Sequence, residues 1–437
     1  MKSVTLQELG TCSEEELGLP EPVISKLLNQ GLLKKEDGYT CLFVGVAVVS
    51  GWTLKCYPKF LPDCEGLPEV LRVLEKLQAE GIAPEIWTEG PGASDYLSAV
   101  LFLLSDYFEN GVYRKTEERA ETNGTGEILW DRTINSCSML LDDGYPYYPE
   151  IITRKRADAE HDYFMRLHEC LLTKASKEME EADILSLFGF PAVSLSEEEI
   201  SAFGDGEYAL YMIDRELGTE FSTHRQLVLK AMRALLSEEG WLSDSDFLAV
   251  YGTTCFYRVW ETVCQEVLAN QLSVPLALLN LPLPLSAEYD RNSTLLGIIE
   301  KPFWSFTGKA AGDTLIPDIV ALEGTSFLIF DAKYYTPMLE PGQPPEDQPG
   351  IESVAKQYLY QLAYKDFIVR HGFTTVRNCF LLPTAEDSVI DKGEVRMEML
   401  CSLGLEPVQV RLLPASIAFG CYLRGEKLDI SLLRLMS

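Results

Sequence analysis

The spacing of apolar positions changes several times along the chain. Residues 41–49 (CLFVGVAVV) and 52–60 (WTLKCYPKF) are β-branched and aromatic runs separated by turn residues, which predicts a small antiparallel sheet between 39 and 60. Residues 67–80 switch to helical spacing, with Val70, Leu71, Val73, Leu74 and Leu77 lining one side. Helical patterns continue over 94–108, and GTGEILW at 124–130 predicts a turn entering a strand. From 157 to 239 the pattern is mainly helical and acidic, and EMEEAD at 178–183 predicts a solvated helix face. A differently patterned block begins near Ser243. Its first helix, expected over 254–272, puts Phe256, Trp260, Val263 and Val267 on one apolar face. A strand, turn and strand follow at 316–335, then a helix over 351–370 with Val354, Ala355, Tyr358, Leu359 and Leu362 as its core stripe. A buried strand, NCFLLP, is expected at 378–383, and PGQPPEDQPG at 341–350 must be a loop.

This order predicts an α+β and α/β multidomain protein. A β-rich N-terminal domain would cover 1–95, a mainly helical middle region 96–243, and a C-terminal mixed sheet flanked by helices 244–437. A chain of 437 residues is too long for one compact core. No apolar run reaches the length of a membrane span, and the start, MKSVTLQELG, has no apolar signal core, so a cytoplasmic, membrane-free protein is expected. The 11 cysteines are scattered without a Cys-x-x-Cys pair, which fits a reducing compartment and argues against a zinc site. His161 and His168, seven apart on an expected helix, have no evident third partner for a metal. The formal charge of −30 changes the picture most. So acidic a chain should bind nucleic acid poorly by itself, and a partner would have to supply the grip on phosphates.

The segment with the most chemistry is IPDIVALEGTSFLIFDAKYY, residues 316–335. Gly324 and Thr325 suit a type II′ hairpin turn, with glycine first. That turn pairs Glu323 with Ser326, Leu322 with Phe327 and Val320 with Ile329, and it sets Asp318 opposite Asp331. Directly opposed residues share a face, with Cβ atoms roughly 4.5–5.5 Å apart, and period-two alternation brings Lys333 to the face of Asp331. Two carboxylates at that separation repel unless a proton or a cation lies between them. Mg²⁺ accepts such a site, taking one or two carboxylates plus waters and substrate phosphate, and Mn²⁺ would substitute. Lys333 could then orient or deprotonate a water, or balance developing negative charge. A plain reading stays open beside this one, in which Asp331 and Lys333 form an ordinary ion pair. The apolar run FLIF before Asp331 points to a buried strand that delivers its polar end to a cleft.

Two flanking helices supply further candidates. Glu261 lies on a flank with Tyr257, Cys264 and Leu268, and spacing leaves it either reaching for solvent or poised to meet a metal. Gln357, Gln361 and Tyr364 border the stripe of the 351–370 helix. They are either exposed boundary residues or amides supporting the acidic cluster and a substrate phosphate.

Pro317-Asp318 followed by Asp331-Ala332-Lys333 resembles the signature of the PD-(D/E)xK nuclease superfamily, and Glu261 matches the acidic residue of its first core helix. More closely, FVGVAVVSGWTLKCYPKF (43–60), GEILWDRTIN (126–135), YGTTCFYRVWE (251–261) and KQYLYQLAY (356–364) resemble the LlaJI-type restriction endonucleases, which are McrC-like. The resemblance implies a Mg²⁺-dependent DNA endonuclease subunit with Asp318, Asp331, Glu261 and Lys333 as catalytic set. The first three would be metal ligands, with Gln361 in support. It implies an McrB-like AAA+ GTPase ring as partner, which binds double-stranded DNA and is contacted by the N-terminal part. No G-x-x-x-x-G-K-[ST] loop occurs here, in keeping with nucleotide hydrolysis by the partner. A non-catalytic adaptor of such a GTPase and a stand-alone repair nuclease are the competing expectations.

Overall fold

A computed structural model of the chain describes residues 1–81, 96–114, 116–142, 145–158, 163–237, 248–339 and 342–435. His161 and the boundaries expected after residues 95 and 243 lie outside the described residues. The chain divides into two compact units, one of Met1–Lys2, Val48–Trp52 and Gly92–Val250, the other of Ser3–Ala47, Thr53–Pro91 and Tyr251–Ser437.

The smaller unit is largely helical. Helices Tyr96–Asn110, Tyr163–Glu181, Gly206–Leu217 and Thr223–Ser237 bury Leu97, Val100, Leu171, Ile213 and Met232. Two features differ from the sequence reading. Residues 124–130 do not enter a strand: Ile128 makes a single bridge to Thr153, and the chain turns at once into the helix Trp130–Ser136. Nor is Glu178 solvated. It is buried and accepts the Tyr96 hydroxyl at 2.9 Å, because a helix packed on two sides turns part of its polar face inward.

The larger unit begins with strands β1 (Lys2–Gln7), β2 (Val44–Val49) and β3 (Trp52–Tyr57), followed by helix α1 (Leu67–Ala79). It resumes with β4 (Leu248–Thr253) and α2 (Phe256–Val267). The first sheet has the order β1-β3-β2-β4, and most of its residues fall in this unit. Strands β2 and β4 approach closely at paired glycines. A Cβ on Gly45 would stand 2.2 Å from the Tyr251 carbonyl, and one on Gly252 would stand 2.2 Å from that of Val44. The five apolar positions assigned to one side of α1 are all buried.

The second sheet contains the hairpin β5 (Ile319–Glu323) and β6 (Ser326–Ala332). Helix α3 (Ile351–Arg370) crosses back to β7 (Thr375–Thr384), and β8 (Ile390–Val395), β9 (Val408–Pro414) and α4 (Ala415–Arg424) complete the unit. The order is β5-β6-β7-β9-β8, with β6, β7 and β9 parallel and both outer strands antiparallel to their neighbours. A parallel pair needs a covering crossover, and α3 provides it. Phe327, Ile329, Tyr360, Tyr364 and Phe367 form the core between helix and sheet.

The limits of α3 match the sequence reading, and Val354 and Tyr358 of the expected stripe are buried, but the rest of its inner face differs. Leu359 and Leu362 are exposed, whereas Gln357, Tyr360, Gln361, Tyr364 and Phe367 face inward. The helix is rotated to seat its three aromatics on β6. Among the described residues no helix is long and apolar enough to cross a membrane.

Candidate functional site

The hairpin takes the register that its turn dictates. Glu323 pairs with Ser326, Leu322 with Phe327, Val320 with Ile329 and Ile319 with Phe330, and Gly324 has a φ of +57°. Every residue of β6 is buried, so this strand carries Asp331 to its end at only 4% exposure. Asp318 lies one residue before β5, opposite that end. Its carboxylate hydrogen-bonds with Asp331 and accepts the Ala332 N–H at 3.0 Å, extending the pairing by a side chain. The Lys333 ammonium sits 3.0 Å from Asp331 Oδ1. The structure thus brings Asp318, Asp331 and Lys333 together.

Backbone contacts fix these groups from two sides. Asn270, just past α2, donates to the Asp318 carbonyl at 2.9 Å and accepts the Val320 N–H at 3.1 Å. The next residue, Gln271, bonds Val320 and Leu322 and so covers the outer edge of β5. Tyr360 on α3 donates to the Ile316 carbonyl at 2.9 Å, which anchors the approach to Asp318. The Leu381 carbonyl accepts both the Trp260 indole N–H, at 3.2 Å, and the Lys333 N–H, at 2.9 Å. The helix bearing Glu261 is thereby tied to the strand bearing the lysine. Sequence reasoning missed Asn270 and Tyr360. Asn270 fell inside the helix expected over 254–272, which ends at Val267, and an amide within a helix has too many other uses to be singled out.

The charges are strongly coupled. Burial, then the hydrogen bond and repulsion from Asp331, with a smaller push from Glu261, drive Asp318 up from 3.8 to about 9. At neutral pH this carboxyl therefore holds a proton. Glu261 is also raised, mainly by its own partial burial and further by Asp331, while Lys333 and Arg258 oppose the shift. For Lys333, burial opposes the positive charge, but Asp331, Asp318 and Glu261 outweigh it and hold the ammonium above its ordinary value. Glu261 therefore senses the pair, and its carboxylate accepts the Gln265 amide N–H at 3.3 Å.

Among the described residues, no three His, Cys, Asp or Glu side chains gather tightly enough to form a ready-made metal cage. The donor chemistry is nevertheless that of a hard cation's partial shell: two neighbouring carboxylates, and a third acidic group near enough to raise Asp318.

The glutamines of α3 are not boundary residues. Gln357 is fully buried with neither amide atom hydrogen-bonded, and Gln361 accepts the Glu406 N–H at 2.7 Å while its amide nitrogen has no partner. Tyr360, three residues from Gln357 and hence on the same part of the helix surface, feels the charge of both Asp331 and Asp318.

Residues 89–415 match the LlaJI restriction endonuclease family. A curated relative, the Type II restriction enzyme BsuMI component YdjA of Bacillus subtilis (strain 168), is 29% identical over 329 residues. The match covers 72% of this chain and spans 64% of the relative's length. Among solved structures, a half-complex of Thermococcus gammatolerans McrB AAA+ hexamers with bound McrC contains a chain 13% identical, with 97% of this chain and 99% of that one covered, at a TM-score of 0.40. A second McrBC complex from the same organism, also 13% identical, covers 60% and 86% at a TM-score of 0.27. The family match extends over most of the chain, from before the helix at Tyr96 to the start of α4, and takes in the acidic hairpin; the chain belongs to the LlaJI restriction endonuclease family.

Proposed function

We propose that this chain is the DNA-cutting subunit of a restriction system, an endodeoxyribonuclease of the PD-(D/E)xK class that hydrolyses phosphodiester bonds with Mg²⁺, or Mn²⁺ in its place. The observation that carries this is the meeting of Asp318, Asp331 and Lys333 at the buried end of β6. Asp318 and Asp331 would hold the cation, and Glu261 would complete the acidic side from α2. When bound, the metal supplies Lewis-acid polarisation of the phosphodiester. Lys333 would orient the attacking water or offset charge growing on the phosphate. Gln357, buried with its amide unpaired, and Gln361 on the same helix would support the site from α3.

The partner proposed is an McrB-like AAA+ GTPase ring that grips double-stranded DNA. A chain of −30 charge repels a polyanion, and an assembly with a motor subunit removes that conflict. The solved chains similar in outline are bound to such hexamers.

The test is plasmid cleavage by the chain assembled with its motor subunit in Mg²⁺. Asp331→Asn and Lys333→Ala are expected to abolish cleavage while stimulation of the partner's GTPase persists. Normal cleavage by Lys333→Ala overturns the site. Stimulation with no cleavage by the wild type favours an adaptor, and cleavage by the isolated chain at physiological salt favours a stand-alone nuclease.

A further inference from the structure

The catalytic strand does not end in free loop. After Lys333 the backbone leaves the ladder, and Tyr334 is seized by the other end of the chain: its hydroxyl donates to the Glu8 carboxylate, 326 residues away in sequence. Glu8 is itself buried and accepts the Lys59 N–H at 3.2 Å, while its own N–H donates to the Tyr57 carbonyl at 2.8 Å. The neighbouring Gln7 amide spans the Lys59 and Leu61 carbonyls at 3.1 and 2.9 Å, so the exits of β1 and β3 form one stiff corner. From that corner the Lys59 ammonium lies 5.0 Å over the Tyr334 ring and 5.5 Å over that of Tyr335, and 3.6 Å from Asp347. Phe60 meets the Tyr334 ring edge-on at 6.2 Å. On another side stands Phe256, with ring centres 5.4 Å apart, on the first turn of the helix that carries Glu261.

Tyr334 is therefore where three elements meet: the N-terminal sheet, the Glu261 helix and the residue bonded to Lys333. Lys333 is the last residue held to the sheet, its N–H on the Leu381 carbonyl, so the corner grips the chain at the first residue beyond it. A planar peptide bond links the two residues, and a shift of the Tyr334 ring therefore moves the origin of the Lys333 side chain.

Resting on the nuclease reading, we infer that Glu8, Lys59 and Tyr334 are positioning residues, which hold the Lys333 ammonium against Asp331 by locking the exit of the catalytic strand to the N-terminal sheet. Nothing in the composition or motifs of the first 60 residues assigns them a part in the chemistry. A lone hydrophobic seam would serve cohesion equally well, but here a buried carboxylate, a phenol and an ammonium are fixed on one residue beside the catalytic lysine. The arrangement also gives the N-terminal sheet a mechanical route to the site, since whatever moves the β1–β3 corner moves Lys333.

The experiment measures Lys333 itself. The full-length chain, without metal or DNA, is labelled with trace acetic anhydride at one pH, and peptides are quantified by mass spectrometry against exposed Lys34 as internal standard. Tyr334→Phe and Glu8→Ala are expected to raise Lys333 labelling at least threefold by loosening its pairing with Asp331. Glu8→Gln keeps an oxygen for the tyrosine hydroxyl and is expected to label at the wild-type rate. Should either of the first two variants lose its fold, Lys59→Met, which removes only the cation over the rings, replaces it with the same expectation. Wild-type labelling of Lys333 in all folded variants overturns the inference. Plasmid cleavage by the assembled Asp331→Asn variant tests the underlying site separately. Cleavage by that variant together with raised labelling would sink the nuclease reading and leave the clamp standing, and the converse pair of results would do the opposite.

Discussion

Asp318→Asn is expected to make the metal-free protein more stable while destroying its activity. The Asp318 carboxyl holds a proton at neutral pH, donates to Asp331 and accepts the Ala332 N–H. An asparagine amide can do the same without any proton to keep. Asp318 has a folded value of about 9 against 3.8 when unfolded, so the folded state binds the extra proton between those limits. Its contribution to stability is then fully present below about pH 4 and is lost as pH rises towards about 9. One unit corresponds to about 1.36 kcal/mol, so between pH 5.5 and 8 the wild type loses at most roughly 3 kcal/mol that the variant keeps. This is a ceiling, because water entering the cleft would share the charge. The assay is urea unfolding of both proteins in EDTA at the two pH values. The advantage of the asparagine variant should grow with pH, and saturating Mg²⁺ should restore stability to the wild type alone through preferential binding to the folded state. A difference in stability that is flat across this range, or that favours the aspartate at pH 8, would refute the reasoning.

Three other changes have defined outcomes. Lys333→Ala should abolish cleavage by the assembled complex and lower thermal stability by up to about 3–5 kcal/mol, since it leaves the buried Asp331 carboxylate without its cation; melting and plasmid assays decide. Gln357→Leu removes a buried amide with no partner and should stabilise the protein by about 1–3 kcal/mol, while cleavage falls if that amide serves the site; denaturation and cleavage are read together. Gly252→Ala places a methyl 2.2 Å from the Val44 carbonyl at a φ of +153° and should cost about 3–4 kcal/mol or prevent folding, visible as a lowered melting temperature.

The hairpin was legible because a two-residue turn leaves one register, and one register decides which carboxylates meet. Glu261 was only half legible. Its spacing gave the flank of α2, but not that Trp260 would tie the helix to the Leu381 carbonyl beside Lys333. The face of α3 was misread because leucine outranks glutamine on any apolar scale. In the fold, Tyr360, Tyr364 and Phe367 set the rotation, and Leu359 and Leu362 are left outside. The strand expected at 124–130 is one bridge, Ile128 to Thr153, because the helix at Trp130 begins two residues later. Contacts such as Tyr334 with Glu8 were invisible for a plainer reason: no local pattern encodes a partner 326 residues away.

The larger unit is drawn from both sides of a long excursion, with residues 92–250 spooled out between its halves. Strand β4 must find β2 across about two hundred intervening positions. The entropy of closing so long a loop grows only slowly with length, but pairings this remote delay folding. On a ribosome the early strands must therefore wait for the late ones. If the corner at Glu8 does set Lys333, a half-made chain contains no competent scissors, and a cell that synthesises this protein is spared its activity until the last strands are in place.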